Sequence, residues 1–282
     1  MHVAYQGEPG AFSEYAAVRF FGEGIVLHPK PSFDAVYEAL NRQDVQYAAL
    51  PIENSLFGSV HVNYDLLRKY AFPIIGELKL RVKHNLMAPT GENLSSIRKV
   101  YSHWQALGQC QDYLRMHVPH AEVIDAYDTA GAAKMIADGQ LPHCAAIASK
   151  RAAQHYGLNI LAESIESDHQ NFTRFLMLQH PSLPLPAPPA GVRQKTSLVF
   201  AHKENIAGAL FKSLAVFALR DLDLIKIESR PLVGSPWVYL FYLDIAGSTT
   251  DHAVQNALDH LAELSAFVHV LGTYPEGFTV DD

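Results

Sequence analysis

The sequence predicts an α/β protein in two parts, a longer one with a mostly parallel sheet and then a smaller α+β domain of ferredoxin-like order. Three observations predict this. Strand-like and helix-like segments alternate as far as residue 180, the mark of α/β layering. A proline-rich run, HPSLPLPAPPAG at 180–191, then interrupts the chain, and such a run favours polyproline geometry over a packed sheet or helix. The segments beyond it follow the order βαββαβ. The expected division is 1–180, a linker at 181–193, and 194–282.

Each element has a local reason. HVAYQG at 2–7 is a short strand entering a Gly/Pro turn, and FSEYAAVRFF has helical apolar spacing. YAALPI (47–52) is a buried strand and VNYDLLRKY a helix. FPIIGELKL and KVYSH (99–103) are strands, and QALGQCQDYLRMH is one helix. EVIDAY, TAGAAKMIADG, CAAIAS and SKRAAQHYG alternate strand and helix. TRFLML, within NFTRFLMLQH at 171–180, is a buried strand that opens on polar groups. After the linker, KTSLVFAHK is a strand and NIAGALFKSLAVFALRD a helix. LDLIKIESR and WVYLFYLDI are strands joined by the turn PLVGSP. TTDHAVQNALDHLAELSA is a helix with Val254, Ala257, Leu258, Leu261 and Leu264 on one stripe, and FVHVLGTY closes as a strand.

Bulk properties narrow the function. The 282 residues are 49% hydrophobic and 18% charged, an ordinary globular balance. A net charge of −7 disfavours nucleic acid as a partner, so any bound anion must be held by a few placed groups. No apolar run reaches membrane-spanning length. The N-terminal MHVAYQGEPGAFSEYAA does not read as a signal peptide, so the cytoplasm is the expected compartment. Cys110 and Cys144 show no CxxC spacing, and the 15 histidines include no HExxH. GxGxxG and GxxxxGK[ST] are absent, so no signature argues for NAD, ATP or a metal.

Ligands of parallel α/β sheets sit beyond the carboxyl ends of strands, so the segments after strands are where chemistry is sought. In YQGEPGAFS (5–13), Gly7 and Gly10 allow close backbone approach. In IENSLFGSV (52–60), Glu53, Asn54 and Ser55 are consecutive polar groups that, alone, read as a capped turn. In SHWQALGQC (102–110), Ser102 followed by Gln105 fits a capping box, which predicts Ser102 as N-cap and an anion site at the first-turn amides. Gln109 shares a face with Gln105. In NFTRF, extended geometry sends Asn171, Thr173 and Phe175 one way and Arg174 the other. A cation is costly to bury alone, so Arg174 has either a structural mate or an anionic ligand.

Taken together, YQGEPGAFSE, LPIENSLFGSV, YSHWQALGQC and NFTRFLML resemble the motifs of prephenate dehydratases, and the likeness runs through the chain. The resemblance implies a two-lobed, periplasmic-binding-protein-like catalytic domain with a cleft. It implies catalytic roles for Thr173, Glu53, Asn54, Ser102 and Gln109, and substrate-binding roles for Ser55, Arg174 and Phe175. Trp104 departs from the family's proline in SHPQAL. The second part resembles an ACT domain, an amino-acid sensor. Its phenylalanine-binding motifs fall on Gly208, Ala209 and Leu210 and on Glu228, Ser229, Arg230 and Pro231, with Asn205 ahead of them. Ala207 stands where the family's proline precedes that glycine.

The implied substrate, prephenate, carries two carboxylates and a ring hydroxyl, and losing the hydroxyl and carbon dioxide gives phenylpyruvate. Aromatisation drives that step, so no redox cofactor or metal is expected. Arg174 and the amides after Ser102 suit carboxylate anchoring, and Thr173 suits the departing oxygen. Glu53 is a candidate proton source. Arogenate dehydratase shares the motifs, and a non-catalytic aromatic amino-acid sensor is the reading from another class. Phenylalanine is the expected allosteric ligand. WVYLFYLDI is apolar on both faces, with Val238, Leu240 and Tyr242 on one and Trp237, Tyr239, Phe241 and Leu243 on the other. One face is expected to stay open, which predicts a homodimer or homotetramer.

Overall fold

The computed structural model describes residues 1–187, 191–204, 206–232, 234 and 237–281. Contacts divide the chain into two units. The first comprises Met1–Tyr64, Leu78–Met177 and the chain's end from Phe278; the second comprises Asp65–Glu77 and Leu178–Gly277.

The chain opens with β1 (His2–Gln6), α1 (Phe12–Phe21), β2 (Val26–Lys30), α2 (Phe33–Asn41), β3 (Tyr47–Asn54), β4 (Gly58–Ser59), α3 (His61–Tyr70) and β5 (Ile74–Arg81). It continues with β6 (Asn85–Ala88), β7 (Lys99–Ser102), α4 (Trp104–Gln109), α5 (Gln111–His117), β8 (Glu122–Asp125), α6 (Thr129–Gly139), β9 (Cys144–Ala148), α7 (Lys150–Tyr156), β10 (Asn159–Ala162) and β11 (Phe172–Gln179). After these come β12 (Gln194–His202), α8 (Ala209–Ala218), β13 (Leu224–Pro231), β14 (Tyr239–Ala246), α9 (His252–Leu264), β15 (Ser265–Pro275) and β16 (Phe278–Val280).

Two sheets build the first unit's lobes. One has the order β16-β5-β11-β3-β1-β2, with β4 beside β3; the other has the order β10-β6-β9-β7-β8. The pairs β1–β2, β1–β3, β7–β8, β7–β9 and β5–β16 are parallel, while β6 pairs antiparallel with β9 and β10. β9 reads CAAIA and is buried at every residue, as a strand covered on both faces must be. Caps fix the helices around it. Asp128 accepts from the Gly131 amide to start α6, and Ser149 accepts from the Ala152 amide to start α7. Gly10 does permit close approach: a Cβ there would lie 2.5 Å from the Ala152 Cα, and its φ of +90° suits glycine.

Sequence reading missed α2, although Ser32 caps it by accepting from the Ala35 amide. It also missed β2, β4, β6, β10 and β16, all short. The segment read as one helix at 105–117 is two, broken at Cys110. The cause is tertiary. The Ser167 amide donates to the Gln109 carbonyl at 2.9 Å, so that carbonyl does not serve the helical ladder, and α5 restarts with Leu114 donating to Cys110.

In the second unit, the four-stranded antiparallel sheet has the order β13-β14-β12-β15. Helices α8 and α9 cover one face through Phe200, Val216, Phe217, Leu243, Ile245 and Leu261. The opposite face is not open, contrary to the sequence expectation: Leu240 is 1% exposed and Tyr242 4%. Segment 65–77 of the same unit covers it. Lys195 reaches Glu77 at 2.6 Å, Arg230 reaches Asp65 at 3.0 Å, and a Cβ on Gly272 would lie 2.2 Å from the Ile74 carbonyl oxygen. The edge strands also expose apolar side chains, at Ile225 and Ile227 of β13 and Phe267 of β15, while Phe211, Leu219 and Trp237 outside the sheet are more exposed still. Residues 188–190 of the expected linker and 233, 235 and 236 of the PLVGSP turn lie outside the described residues, as does Asn205.

Candidate active site

A cavity of about 620 Å³ opens in the first unit, lined by strands of its first sheet and by helices and loops that flank the second. Thr173 and Phe175 reach it from β11, Asn54 from the end of β3, Gln105 and Gln109 from α4, His84 from the segment between β5 and β6, and Asp128 from the N-cap of α6. The break at Cys110 makes Gln109 the last residue of α4, beside the start of β11. Phe57 also lines the cavity, and its ring meets the exposed Trp104 edge-on at 6.0 Å. Trp104, the departure noted in the motif, thus has an aromatic partner.

One chain of hydrogen bonds organises the polar groups. Leu56 and Phe57 donate backbone N–H to Asn54 Oδ1 at 2.9 and 3.0 Å, which fixes the orientation of that amide. Asn54 Nδ2 therefore donates, to Asn171 Oδ1 at 2.8 Å, to Thr173 Oγ1 at 3.0 Å and, longer, to the Phe172 carbonyl at 3.3 Å. Asn171 is fully buried, and its Nδ2 donates to Gln109 Oε1 at 2.8 Å. His84 Nε2 lies 2.6 Å from the same oxygen. Two donors emerge. Thr173 Oγ1 accepts from Asn54, so its own proton is free for the cavity; Gln109 Nε2 makes no hydrogen bond among the described residues. The turn expected at 52–60 and the functional group are thus one object: Asn54 caps the turn with its oxygen and arms the site with its nitrogen.

Several expected site residues lie elsewhere. Arg174 alternates to the far side of β11 from Thr173 and Phe175, is 8% exposed, and pairs with Glu53 Oε2 at 3.9 Å. Neither Arg174 nor Glu53 lines the cavity. The sequence favoured a dicarboxylate ligand over a core ion pair for Arg174; the structure instead pairs it with Glu53, away from the cavity where Glu53 was expected as a proton source. Ser55 staples two loops, donating Oγ–H to the Gln170 carbonyl at 2.8 Å and accepting from the Phe172 amide at 2.9 Å. Ser102 is not an N-cap. β7 keeps pairing with β8 through Ser102–Asp125, and the buried Ser102 hydroxyl donates to the Ile147 carbonyl at 2.6 Å. The α4 cap is His103, whose Nδ1 accepts from the Gln105 amide at 3.4 Å. Sequence reading gave no role to His84, His103 or Asp128. A lone histidine carries no spacing signal, and the bonds that define His84 come from segments remote in sequence.

The described lining residues include the acids Asp34 and Asp128 but no Lys or Arg. Burial holds His84 and His103 below the ordinary histidine range and pushes Asp128 above the ordinary carboxylate range. Both rings are thus neutral near pH 7, and an anion in this cavity meets neutral donors. In the second unit, Gly208 caps α8 at φ +80° and Leu210 packs on that unit's core. Ala209 begins α8, and Glu228–Pro231 end β13. β12 and β13 both pair antiparallel with β14, so the chain leading to α8 and the Glu228–Pro231 end lie at the same end of the sheet.

Comparison with known proteins gives these elements a family. Residues 3–183 match the family model for prephenate dehydratase. Arogenate dehydratase/prephenate dehydratase 2 of Arabidopsis thaliana is 47% identical over 99% of this chain and 74% of its own length. The prephenate dehydratase of Arthrobacter aurescens, solved in complex with L-Phe, superposes with a TM-score of 0.88 at 30% identity, over 98% of this chain and 90% of that one. GqqA, described as a novel type of quorum quenching acylase, also superposes at 0.88 with 32% identity, over 98% of both chains. The chain therefore belongs to the prephenate dehydratase family and is an enzyme of the lyase class.

Proposed function

We propose that the chain catalyses the decarboxylative dehydration of prephenate to phenylpyruvate. The observation that carries this reading is the donor pair: the Thr173 proton and the Gln109 amino group, both released toward the cavity by one hydrogen-bond chain. The ring carboxylate leaves as carbon dioxide, its bonding electrons enter the ring, and the carbon–oxygen bond to the hydroxyl breaks as the ring aromatises. The departing oxygen accumulates negative charge, and a positioned donor there lowers the barrier. Thr173 fits that place, since Asn54 already satisfies its oxygen as an acceptor. The free Nε2 of Gln109 suits a substrate carboxylate. An acylase activity such as GqqA's, if run through Thr173 as nucleophile, would need Thr173 to pass its proton to a base, and the partner found at its oxygen is a donor.

Arogenate is a second reading, which the acids lining the cavity favour. Arogenate carries an ammonium where prephenate carries a keto group, and Asp34 and Asp128 lie in a cavity without a described Lys or Arg. Incubating the purified protein with each compound, and measuring phenylpyruvate by absorbance and phenylalanine by chromatography, tests both. Product from neither would defeat the reading.

The same proposal makes the second unit an ACT-like phenylalanine sensor that feeds back on the reaction. The bound L-Phe of the Arthrobacter relative supports it, as does the left-handed Gly208 at the N-terminus of α8, where backbone amides can receive a carboxylate. Couplings of this kind are about 1–3 kcal/mol, so phenylalanine should weaken substrate affinity roughly 5- to 150-fold. A bulky residue at position 208 should abolish that effect and leave basal turnover intact. Absence of both inhibition and calorimetric binding at millimolar phenylalanine would remove this part alone. Self-association through the exposed edges near Ile227 and Phe267 accords with the same reading, and light scattering tests it.

A further inference from the structure

We infer that His84 is a positioning residue for this reaction: as a neutral ring with its proton on Nε2, it holds Gln109 so that the amide nitrogen faces the substrate. The inference rests on the dehydratase reading above, and its logic starts from two backbone amides. Leu56 and Phe57 donate to Asn54 Oδ1, so that atom is the oxygen and Nδ2 the donor. The atom of Asn171 facing Asn54 must then be its oxygen, which leaves Asn171 Nδ2 facing Gln109. The atom of Gln109 facing Asn171 must in turn be its oxygen. His84 Nε2 lies 2.6 Å from that oxygen, so Nε2 carries a proton. Each assignment forces the next, and every reversed orientation sets donor against donor or acceptor against acceptor.

Nδ1 of His84 is buried without a hydrogen-bond partner. A second proton there would have no acceptor, so the charged ring is disfavoured. Burial lowers the ring's proton affinity, opposed by its bond to Gln109 and by Glu166. Glu166 does not touch the ring through a hydrogen bond; its Oε2 accepts the His84 backbone N–H at 2.9 Å. The ring edge packs on Phe12 at 5.8 Å between centroids. Packing alone would not place Nε2 on an oxygen already held by Asn171. Two donors on Gln109 Oε1 keep that oxygen out of the cavity and Nε2 in it.

The test uses the full-length protein, with prephenate and arogenate as probes. His84→Leu removes the donor; His84→Gln keeps an N–H donor at similar reach. The expected result is about a tenfold loss of kcat/KM for His84→Leu, in line with one hydrogen bond. His84→Gln should stay within about threefold of the wild type. Nitrogen-15 NMR of the wild type should show Nε2 protonated and Nδ1 bare throughout the active pH range. Equal losses in both variants, no loss in His84→Leu, or the opposite tautomer would each overturn the role. If His84→Leu does not fold, the His84→Gln kinetics and the tautomer still decide it. A wild type inert toward both compounds would sink the dehydratase reading and this role with it. An active wild type with an unaffected His84→Leu would sink His84 alone.

Discussion

Replacing Asn54 with Asp exchanges one NH2 for one oxygen and alters little else in size. The retained oxygen still accepts from Leu56 and Phe57 at 2.9 and 3.0 Å, so the turn should survive. The exchanged atom is the one that donates to Thr173 and Asn171 at 3.0 and 2.8 Å. With a carboxylate there, the Thr173 hydroxyl turns to donate to it and is withdrawn from the cavity. Asn171 meets an acceptor where it had offered one and must rotate its amide. Gln109 must follow, presenting oxygen rather than nitrogen to the substrate, and His84 must move its proton to Nδ1. One atom thus reverses the polarity of the whole chain. Because both bonds re-form with donor and acceptor exchanged, stability should change by no more than about one hydrogen bond, roughly 0.5–1.5 kcal/mol. Losing a preorganised donor to a developing oxyanion costs about 10²–10³ in turnover. Turnover by phenylpyruvate absorbance, stability by urea titration and the His84 tautomer by nitrogen-15 NMR are the assays. Activity should partly recover at acidic pH, where the new carboxyl regains an O–H. Turnover within about threefold of the wild type at neutral pH, with the His84 tautomer unchanged, would refute the reasoning.

Two further predictions concern stability. Lys195 and Glu77, 2% and 0% exposed by side chain, form a buried ion pair at 2.6 Å. Lys195→Met should cost about 3–5 kcal/mol in urea unfolding by stranding Glu77, and adding Glu77→Leu should restore most of it. The second concerns acid. His84 and His103 bind protons less readily in the folded state than the ordinary histidine value of 6.5. Below that pH the unfolded chain binds more protons, so stability should fall as pH drops from 6.5 toward the lowered folded values. Titrating urea midpoints against pH checks this, and His84→Gln should flatten part of the slope.

Sequence patterns told most where the deciding physics is local. The period-2 alternation of NFTRF correctly separated Thr173 and Phe175 from Arg174, because strand geometry alone sets it. The wholly apolar CAAIA became a fully buried strand, and TAGAAKMIADG a helix over that same span. Reading failed where a partner came from far along the chain. Glu53 lies 121 positions before Arg174 (174 − 53), and nothing near NFTRF announces it. The Ser167 amide broke a helix that its own sequence would have continued. Ser102–Gln105 has capping-box spacing, but β7 extends through Ser102 and moves the cap to His103. The apolar second face of β14 looked open because its cover, segment 65–77, lies more than 160 residues earlier. His84 was silent for the same reason: its meaning depends on residues 54, 109 and 171 together.

The most direct measurement compares wild type with Thr173→Val and Thr173→Ser at saturating prephenate or arogenate. Valine matches threonine in shape and puts a methyl where the hydroxyl was, removing both the proton that faces the cavity and the oxygen that accepts from Asn54. The predicted result is a folded Thr173→Val protein that loses about 10²-fold or more in turnover, with Thr173→Ser keeping much of it. Near-normal turnover by Thr173→Val would contradict the account at its centre, because the hydrogen-bond chain would then be aiming a hydroxyl that the reaction does not use.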